Sequence, residues 1–157
     1  MTEPTSDLTS GSLPETLDVR VERRDTSVLP EGALLRFQLI NRGKHPGVNY
    51  LWLLYEDGRW LLARHSGDSS DWQTPLDTPL PTTPTKTLPT RVVQQVKKHL
   101  AQADFFHQAA YQEDKSVRDG AYSVVTARQD GRTHEVIYAA ATTPLITFLQ
   151  GIAQEHG

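Results

Sequence analysis

Residues 48–64 read VNYLWLLYEDGRWLLAR, in which Asp57-Gly58 separates two runs of aromatic and aliphatic residues. Residues 121–140 repeat the pattern, with Asp130-Gly131 between two further β-prone runs. Asp-Gly at such a position is typical of a two-residue type I′ turn, because that turn needs a positive φ at both central residues. Each segment therefore predicts a β-hairpin.

A two-residue turn would also set the register of the first hairpin. Glu56 would face Arg59, and Tyr55 would face Trp60, both favourable cross-strand pairs. Trp52 and Trp60 would then lie on adjacent strands. They would either pack in the core or form a partly exposed aromatic platform, since Trp is a common anchor in protein interfaces.

Two later segments carry apolar residues at the 3.6-residue period of a helix. The first covers about residues 90–104, and its apolar positions are Val92, Val93, Val96, Leu100 and Ala103. The second follows Thr143-Pro144, an N-cap with a first-turn proline, and its apolar positions are Leu145, Phe148, Leu149 and Ile152. With the hairpins, these segments predict an α+β fold in which two helices pack on one face of an antiparallel sheet.

The remaining sequence predicts one domain with two irregular regions. Residues 1–15 are rich in Pro, Ser, Thr and acidic residues, which predicts a disordered leader before a single domain at 16–157. Residues 73–90 are rich in Thr and Pro and predict an extended connector, because proline lacks the amide donor of a helix or central strand. Residues 107–120 are interpreted as a polar loop. The expected order is β-βββ-linker-α-ββ-α, and the alternating segment within 16–30 leaves open whether its strand joins the main sheet.

Composition narrows the classes of partner. Sixteen Lys and Arg against nineteen Asp and Glu give a formal net charge of −3, which argues against nucleic-acid binding. The chain has no cysteine, which excludes disulfides and thiolate chemistry and favours a cytoplasmic location. Since 18 apolar residues never run together, we expect a soluble protein without a membrane span.

No catalytic motif stands out, and we expect neither a cofactor nor a metal ion. His65, Asp68 and Asp71 stand at three-residue intervals and could converge on a cation, but the pattern favours a polar loop that opens the linker. An enzyme, hydrolase-like, would need a site assembled from distant residues, including His65 or His134. A structural subunit of a larger assembly is a further alternative.

Several turns and core residues, taken together, resemble those of emfourin-like small bacterial proteins, a group that includes an inhibitor of thermolysin-type metalloproteases. The resemblance covers about residues 34–154. It rests on the segment from Gly43 to Val48, Asp57-Gly58, Ala103-Asp104-Phe105-Phe106, Asp119-Gly120-Ala121-Tyr122, Asp130-Gly131 and Pro144. The first strand and the Thr/Pro segment are additions to that pattern, and no inhibitory residue is carried over. The resemblance implies a sheet-plus-helices fold and a protease as partner.

These observations favour a non-enzymatic protein-binding module, monomeric or weakly dimeric, that binds a protein partner and acts as a protease inhibitor. The loops at 42–47 and 64–72 and the aromatic hairpin would gather near one end of the sheet. The candidate contact residues are His45, Arg59, Arg64, His65 and Trp72.

Overall fold

The computed structural model describes residues 8–11, 29–40, 47–67, 80–116 and 122–156, with backbone alone at 8–11, 47–49 and 64–67. Within these ranges the chain forms eight strands and two α-helices. In chain order they are β1 (Leu8–Gly11), β2 (Ala33–Ile40), β3 (Gly47–Tyr55), β4 (Arg59–Gly67), β5 (Lys86–Thr87), α1 (Thr90–Gln102), β6 (Tyr111–Asp114), β7 (Tyr122–Gln129), β8 (Arg132–Ala139) and α2 (Pro144–His156).

The described strands make a single sheet in the order β1-β6-β8-β7-β2-β3-β4-β5. Every neighbouring pair is antiparallel except β6 and β8, which run parallel. This confirms the α+β fold with a largely antiparallel sheet. The parallel pair was not predicted, and it places β6 beside the return strand of the second hairpin.

The two hairpins have different turns. Asp130 and Gly131 both have positive φ, 53° and 75°, as the predicted type I′ turn requires. In the first hairpin only Gly58 is left-handed, with φ 95°, and its N–H donates to the Tyr55 carbonyl. This is a three-residue loop over residues 56–58, so the predicted pairing of Tyr55 with Trp60 is wrong. Trp60 instead faces Leu54.

Both helices begin near the positions that the sequence predicts. α1 starts at Thr90 after Pro89, and α2 starts at Pro144. The Thr143 hydroxyl accepts a hydrogen bond from the Ile146 N–H at 3.2 Å, which confirms its N-cap role. After α1, Phe105 is fully buried and fixes the helix exit in the core.

The main core lies between the two helices and one face of the sheet. Strand residues such as Phe37, Trp52 and Val125 meet Val96 of α1 and Leu149 of α2 in one buried cluster. This confirms that both helices pack on the same face. The opposite face of the described strands carries two smaller buried clusters, one around Val124 and Ile137 and one around Leu53 and Leu61.

Three short strands replace segments that the sequence predicts to be irregular. Leu8–Gly11, within the predicted leader, pairs with β6 as an edge strand. β6 itself lies within the predicted loop at 107–120. β5 lies within the Thr/Pro connector and pairs with the start of β4, where the Thr85 hydroxyl also accepts from the Leu62 N–H. The alternating segment at 17–21 lies outside the described residues.

In the described part of the chain, no helix has the length and apolar character needed to cross a membrane.

Candidate functional site

The turns of the two hairpins lie at the same end of the sheet. β2 pairs with β3 on one side and with β7 on the other, both antiparallel. The start of β2 at Ala33 faces Tyr55, just before the first turn, and Leu35 faces Ala127, just before the second. The N-terminal end of β2 is therefore flanked by both hairpin tips.

A cleft of about 290 Å³ opens between these tips and the C-terminal half of α1. We call it the hairpin cleft. Its helix wall is formed by Lys97, Leu100 and Ala101. The strand side is formed by Leu34 and Glu56, and the second hairpin contributes Arg128, Gln129 and Asp130. Leu34 and Leu100 are each only 2% exposed, so the base of the cleft is apolar and its rim is charged.

Both cations of the hairpin cleft already have partners. The Lys97 ammonium lies 2.7 Å from a Glu56 carboxylate oxygen, in a pair whose side chains are about half exposed. The Arg128 guanidinium donates to the backbone carbonyls of Leu29, at 2.8 Å, and Pro30, at 3.1 Å. Arg128 thereby ties the turn before β2 to β7 and shapes the cleft rather than leaving a charge free in it.

Asp130 carries the unpaired charge of the hairpin cleft. Its side chain is exposed, and among the described residues it makes no ion pair. Arg132, two residues further along the chain, instead lies over the Phe106 ring with its guanidinium carbon 5.5 Å from the centroid. The rim therefore presents one uncompensated carboxylate above an apolar base.

The first hairpin carries a preordered arginine at the same end of the sheet as the cleft, on the face away from the helices. The Arg59 guanidinium lies 4.2 Å from the centroid of the Tyr55 ring. Its Nε also donates to Asp57 at 2.9 Å. The Arg59 backbone N–H, which donates to the same carboxylate, is the main cause that holds the pKa of Asp57 below its ordinary value, and the guanidinium adds to it.

The predicted contact residues do not all gather at one end of the sheet. Arg59 lies at the hairpin tip, whereas Arg64 and His65 lie five and six positions further along β4, opposite Tyr50 and Asn49. At the strand rise of about 3.3 Å per residue, Arg64 therefore lies about 16 Å along β4 from Arg59. The side chains of Arg64 and His65 lie outside the described residues, as do His45, Trp72, Asp68 and Asp71.

Trp52 and Trp60 are core residues. Both are 0% exposed, and their ring centroids lie 6.2 Å apart in the cluster beneath the helices. Of the two alternatives that the sequence leaves open for Trp52 and Trp60, core packing is therefore confirmed and the aromatic platform is wrong. Their indole Nε1 atoms make no hydrogen bond, which leaves two buried donors unsatisfied.

The described histidines are held by structural contacts. His134 Nε2 lies 2.8 Å from the Gln108 carbonyl oxygen, and since a carbonyl only accepts, this nitrogen carries the proton. Glu135 lies on the other face of β8, where its carboxylate accepts from the Thr126 hydroxyl. His107 meets Asp104 at 2.7 Å, but both side chains are more than 70% exposed.

Sequence reasoning missed the residues of the hairpin cleft. Lys97 lies in the polar part of an amphipathic helix pattern, and Asp130 lies in a turn pattern. Neither local pattern indicates a binding site. The shared Asp-Gly turns were the available signal, because two hairpins joined through β2 place their tips at one end. Comparison with models of known protein families and with curated proteins returns no match.

Proposed function

We propose that the chain is a non-enzymatic protein-binding module that contacts its partner with the hairpin end of the sheet. The observation that carries this proposal is the stacked pair of Arg59 and Tyr55 at the hairpin end of the sheet, on the face opposite the hairpin cleft. Arginine and tyrosine are enriched among the residues that dominate binding energy in protein interfaces. The hairpin cleft, on the other face of the same end of the sheet, offers a second point of attachment.

The ordering of Arg59 favours a binding role. A free arginine loses side-chain entropy when it is immobilised in an interface, which costs about 0.5–1.5 kcal/mol. Here the Tyr55 ring and the Asp57 carboxylate already restrict the guanidinium. The Arg59 side chain remains about half exposed, at 47%, so a partner can still reach it.

The resemblance to emfourin-like proteins makes a thermolysin-type metalloprotease of bacterial origin the first partner to test. In this proposal the module acts as an inhibitor by surface complementarity, without chemistry of its own. A cytoplasmic location, suggested by the cysteine-free sequence, and a monomeric or weakly dimeric state belong to the same proposal.

The test is an inhibition assay with purified thermolysin, in which the wild-type chain is titrated against hydrolysis of a short peptide. We expect saturable inhibition that Arg59→Ala weakens at least tenfold. Lys115→Ala is the matched control, because Lys115 is an exposed cation that follows β6, and four strands separate β6 from β4 in the sheet. If the chain leaves thermolysin activity unchanged, the inhibitor assignment is wrong, and equal loss in both variants would remove Arg59 from the interface.

A further inference from the structure

We infer that the hairpin cleft receives one long basic side chain, an arginine or lysine, from the protein partner. The inference deepens the proposed function and rests on it. The cleft would hold the aliphatic stem of that side chain against its apolar base, and Asp130 would pair with the charged head. Four properties of the cleft lead to this assignment.

The size of the cleft selects a single side chain. Its volume of about 290 Å³ lies at the lower limit of ligand pockets in proteins. A helix with its side chains is about 10–12 Å across and would not enter a cleft of this volume. One extended side chain that projects from a partner surface is the element of protein structure that matches.

The apolar base favours a side chain with a long hydrocarbon stem. Leu34 and Leu100 are buried beneath the cleft, and Ala101 is exposed on its helix wall. Arginine and lysine commonly lay their methylene groups along apolar surface and keep the charged head in a polar environment.

The charge distribution favours a cation over an anion. An entering carboxylate would compete with Glu56 for Lys97, and the Arg128 guanidinium already donates to two backbone carbonyls. An entering cation meets the Asp130 carboxylate, which has no ion-pair partner in the described part of the chain. It therefore forms a new ion pair without breaking an existing one.

The position of the cleft favours a side chain that arrives as part of a protein. Glu56, on the cleft wall, lies in the same turn as Asp57, which pairs with Arg59, so the cleft and the Arg59–Tyr55 pair lie at one end of the sheet, on its two faces. A partner that contacts the Arg59–Tyr55 pair is therefore already held at the end of the sheet where the cleft opens. A side chain supplied from the same partner surface enters with little further loss of translational freedom.

The inference can be tested without knowing the partner. The ¹⁵N-labelled chain is titrated with Nα-acetyl-arginine N-methylamide, and amide shifts are followed by NMR. We expect saturable amide shifts at Ala101, Gln129 and Asp130, with a Kd in the millimolar range. The citrulline analogue, which has the same shape without the charge, should bind about three- to fivefold more weakly, as expected for a partly exposed ion pair.

Asp130→Asn supplies the matching variant. Asparagine tolerates positive φ at least as well as aspartate, so the turn is retained while the charge is lost. This variant should bind the arginine probe as weakly as the wild-type chain binds citrulline. Asp104→Asn, which removes an exposed carboxylate that pairs with His107, should leave the arginine titration unchanged.

Three outcomes would overturn the inference. They are an arginine probe that shifts no residue of the cleft, equal binding of arginine and citrulline, and stronger binding of the acetyl-glutamate analogue. None of these outcomes bears on thermolysin inhibition or on its dependence on Arg59. Conversely, arginine binding at the cleft together with unaltered thermolysin activity would support the cleft assignment and refute the inhibitor proposal.

Discussion

Gly58 packs directly against the backbone of Leu88, so closely that a Cβ atom added to Gly58 would lie 2.5 Å from the Leu88 carbonyl oxygen. The Leu88 N–H also donates to the Gly58 carbonyl at 2.8 Å. This contact joins the first hairpin tip to the end of the Thr/Pro connector, just before α1. The connector is therefore fixed at its C-terminal end by the turn that begins β4.

Substitution of the two turn glycines should separate conformational strain from steric clash. Both Gly58 and Gly131 have positive φ, but a Cβ on Gly131 meets nothing within 4 Å. We expect Gly131→Ala to lower the free energy of unfolding by about 1 kcal/mol through strain alone. Gly58→Ala should cost about 2–4 kcal/mol, because a backbone carbonyl must also move. Urea denaturation of both variants measures the difference, and equal losses would show that the Gly58 contact is not tight.

The stability of the helix pair should depend on pH through His99. The His99 ring stacks on Phe148 of α2, with centroids 3.8 Å apart and planes 11° apart. Burial, and secondarily the adjacent Lys98 ammonium, lowers the pKa of His99 from its ordinary value of about 6.5. The unfolded chain therefore binds this proton at higher pH than the folded chain does. Stability should be complete above about pH 6.5 and should fall as the pH drops toward the folded pKa.

The measurement is the urea midpoint across this pH range for the wild-type chain and for His99→Gln. The variant should show a smaller fall on acidification. His107→Gln is the control, since His107 is an exposed histidine that forms its pair with Asp104 away from α2. An identical acid-induced fall in the wild type and in His99→Gln would assign the pH dependence to other groups.

Tyr138 and Gln108 form the centre of a partly buried polar network. The Tyr138 hydroxyl donates to Gln108 Oε1 at 2.5 Å, and the Gln112 side-chain amide donates to the same oxygen at 2.9 Å. Tyr138→Phe should lower the free energy of unfolding by about 1 kcal/mol, because Gln108 Oε1 loses one donor but still accepts from the Gln112 amide. Gln108→Leu should cost more, about 2–4 kcal/mol, because two donors lose their acceptor. A smaller cost for Gln108→Leu than for Tyr138→Phe would contradict the assigned network.

Tyr138 should also resist ionisation. Burial raises the pKa of its hydroxyl far above the ordinary value of 10.0. The folded chain then holds this proton more tightly than the unfolded chain, so stability should fall as the pH rises above about 10. In an alkaline absorbance titration at the tyrosinate band, the folded wild type should retain more protonated tyrosine than the unfolded chain. Tyr138→Phe should reduce that difference by one tyrosine.

Local sequence chemistry predicts the larger elements because their signals are short-range. The Asp-Gly pairs locate both hairpins, and the apolar period around Val96 and Leu149 locates both helices. The first turn differs because Asp57 keeps a negative φ and gives its carboxylate to Arg59, which lengthens the loop. β6 has the sequence YQED, without alternation, and it exists because its backbone pairs with β1 and β8, which are distant in sequence.

The hairpin cleft could not be predicted because it forms only where residues that are distant in sequence come together in the fold. Lys97 on a helix and Glu56 before a turn each have the pattern of an exposed charge. Their ion pair requires α1 to lie across the end of β3, and no local pattern encodes that crossing. Arg128 likewise alternates along β7 as any strand residue does, while its two carbonyl partners come from the turn before β2.

We therefore expect Arg128 to determine the shape of the cleft through its hydrogen bonds. It should not contact the charged group of an entering side chain. Arg128→Lys keeps the positive charge, but a lysine ammonium cannot reproduce the forked geometry that reaches both the Leu29 and Pro30 carbonyls. We expect a loss of about 1–2 kcal/mol in the free energy of unfolding. We also expect amide shifts at Ala33 and Leu34, where the turn enters β2. Because the Asp130 carboxylate is retained, the preference for arginine over citrulline should persist at reduced affinity. If Arg128→Lys instead reverses that preference, the charge of Arg128, rather than its hydrogen bonds, sets the selectivity of the cleft.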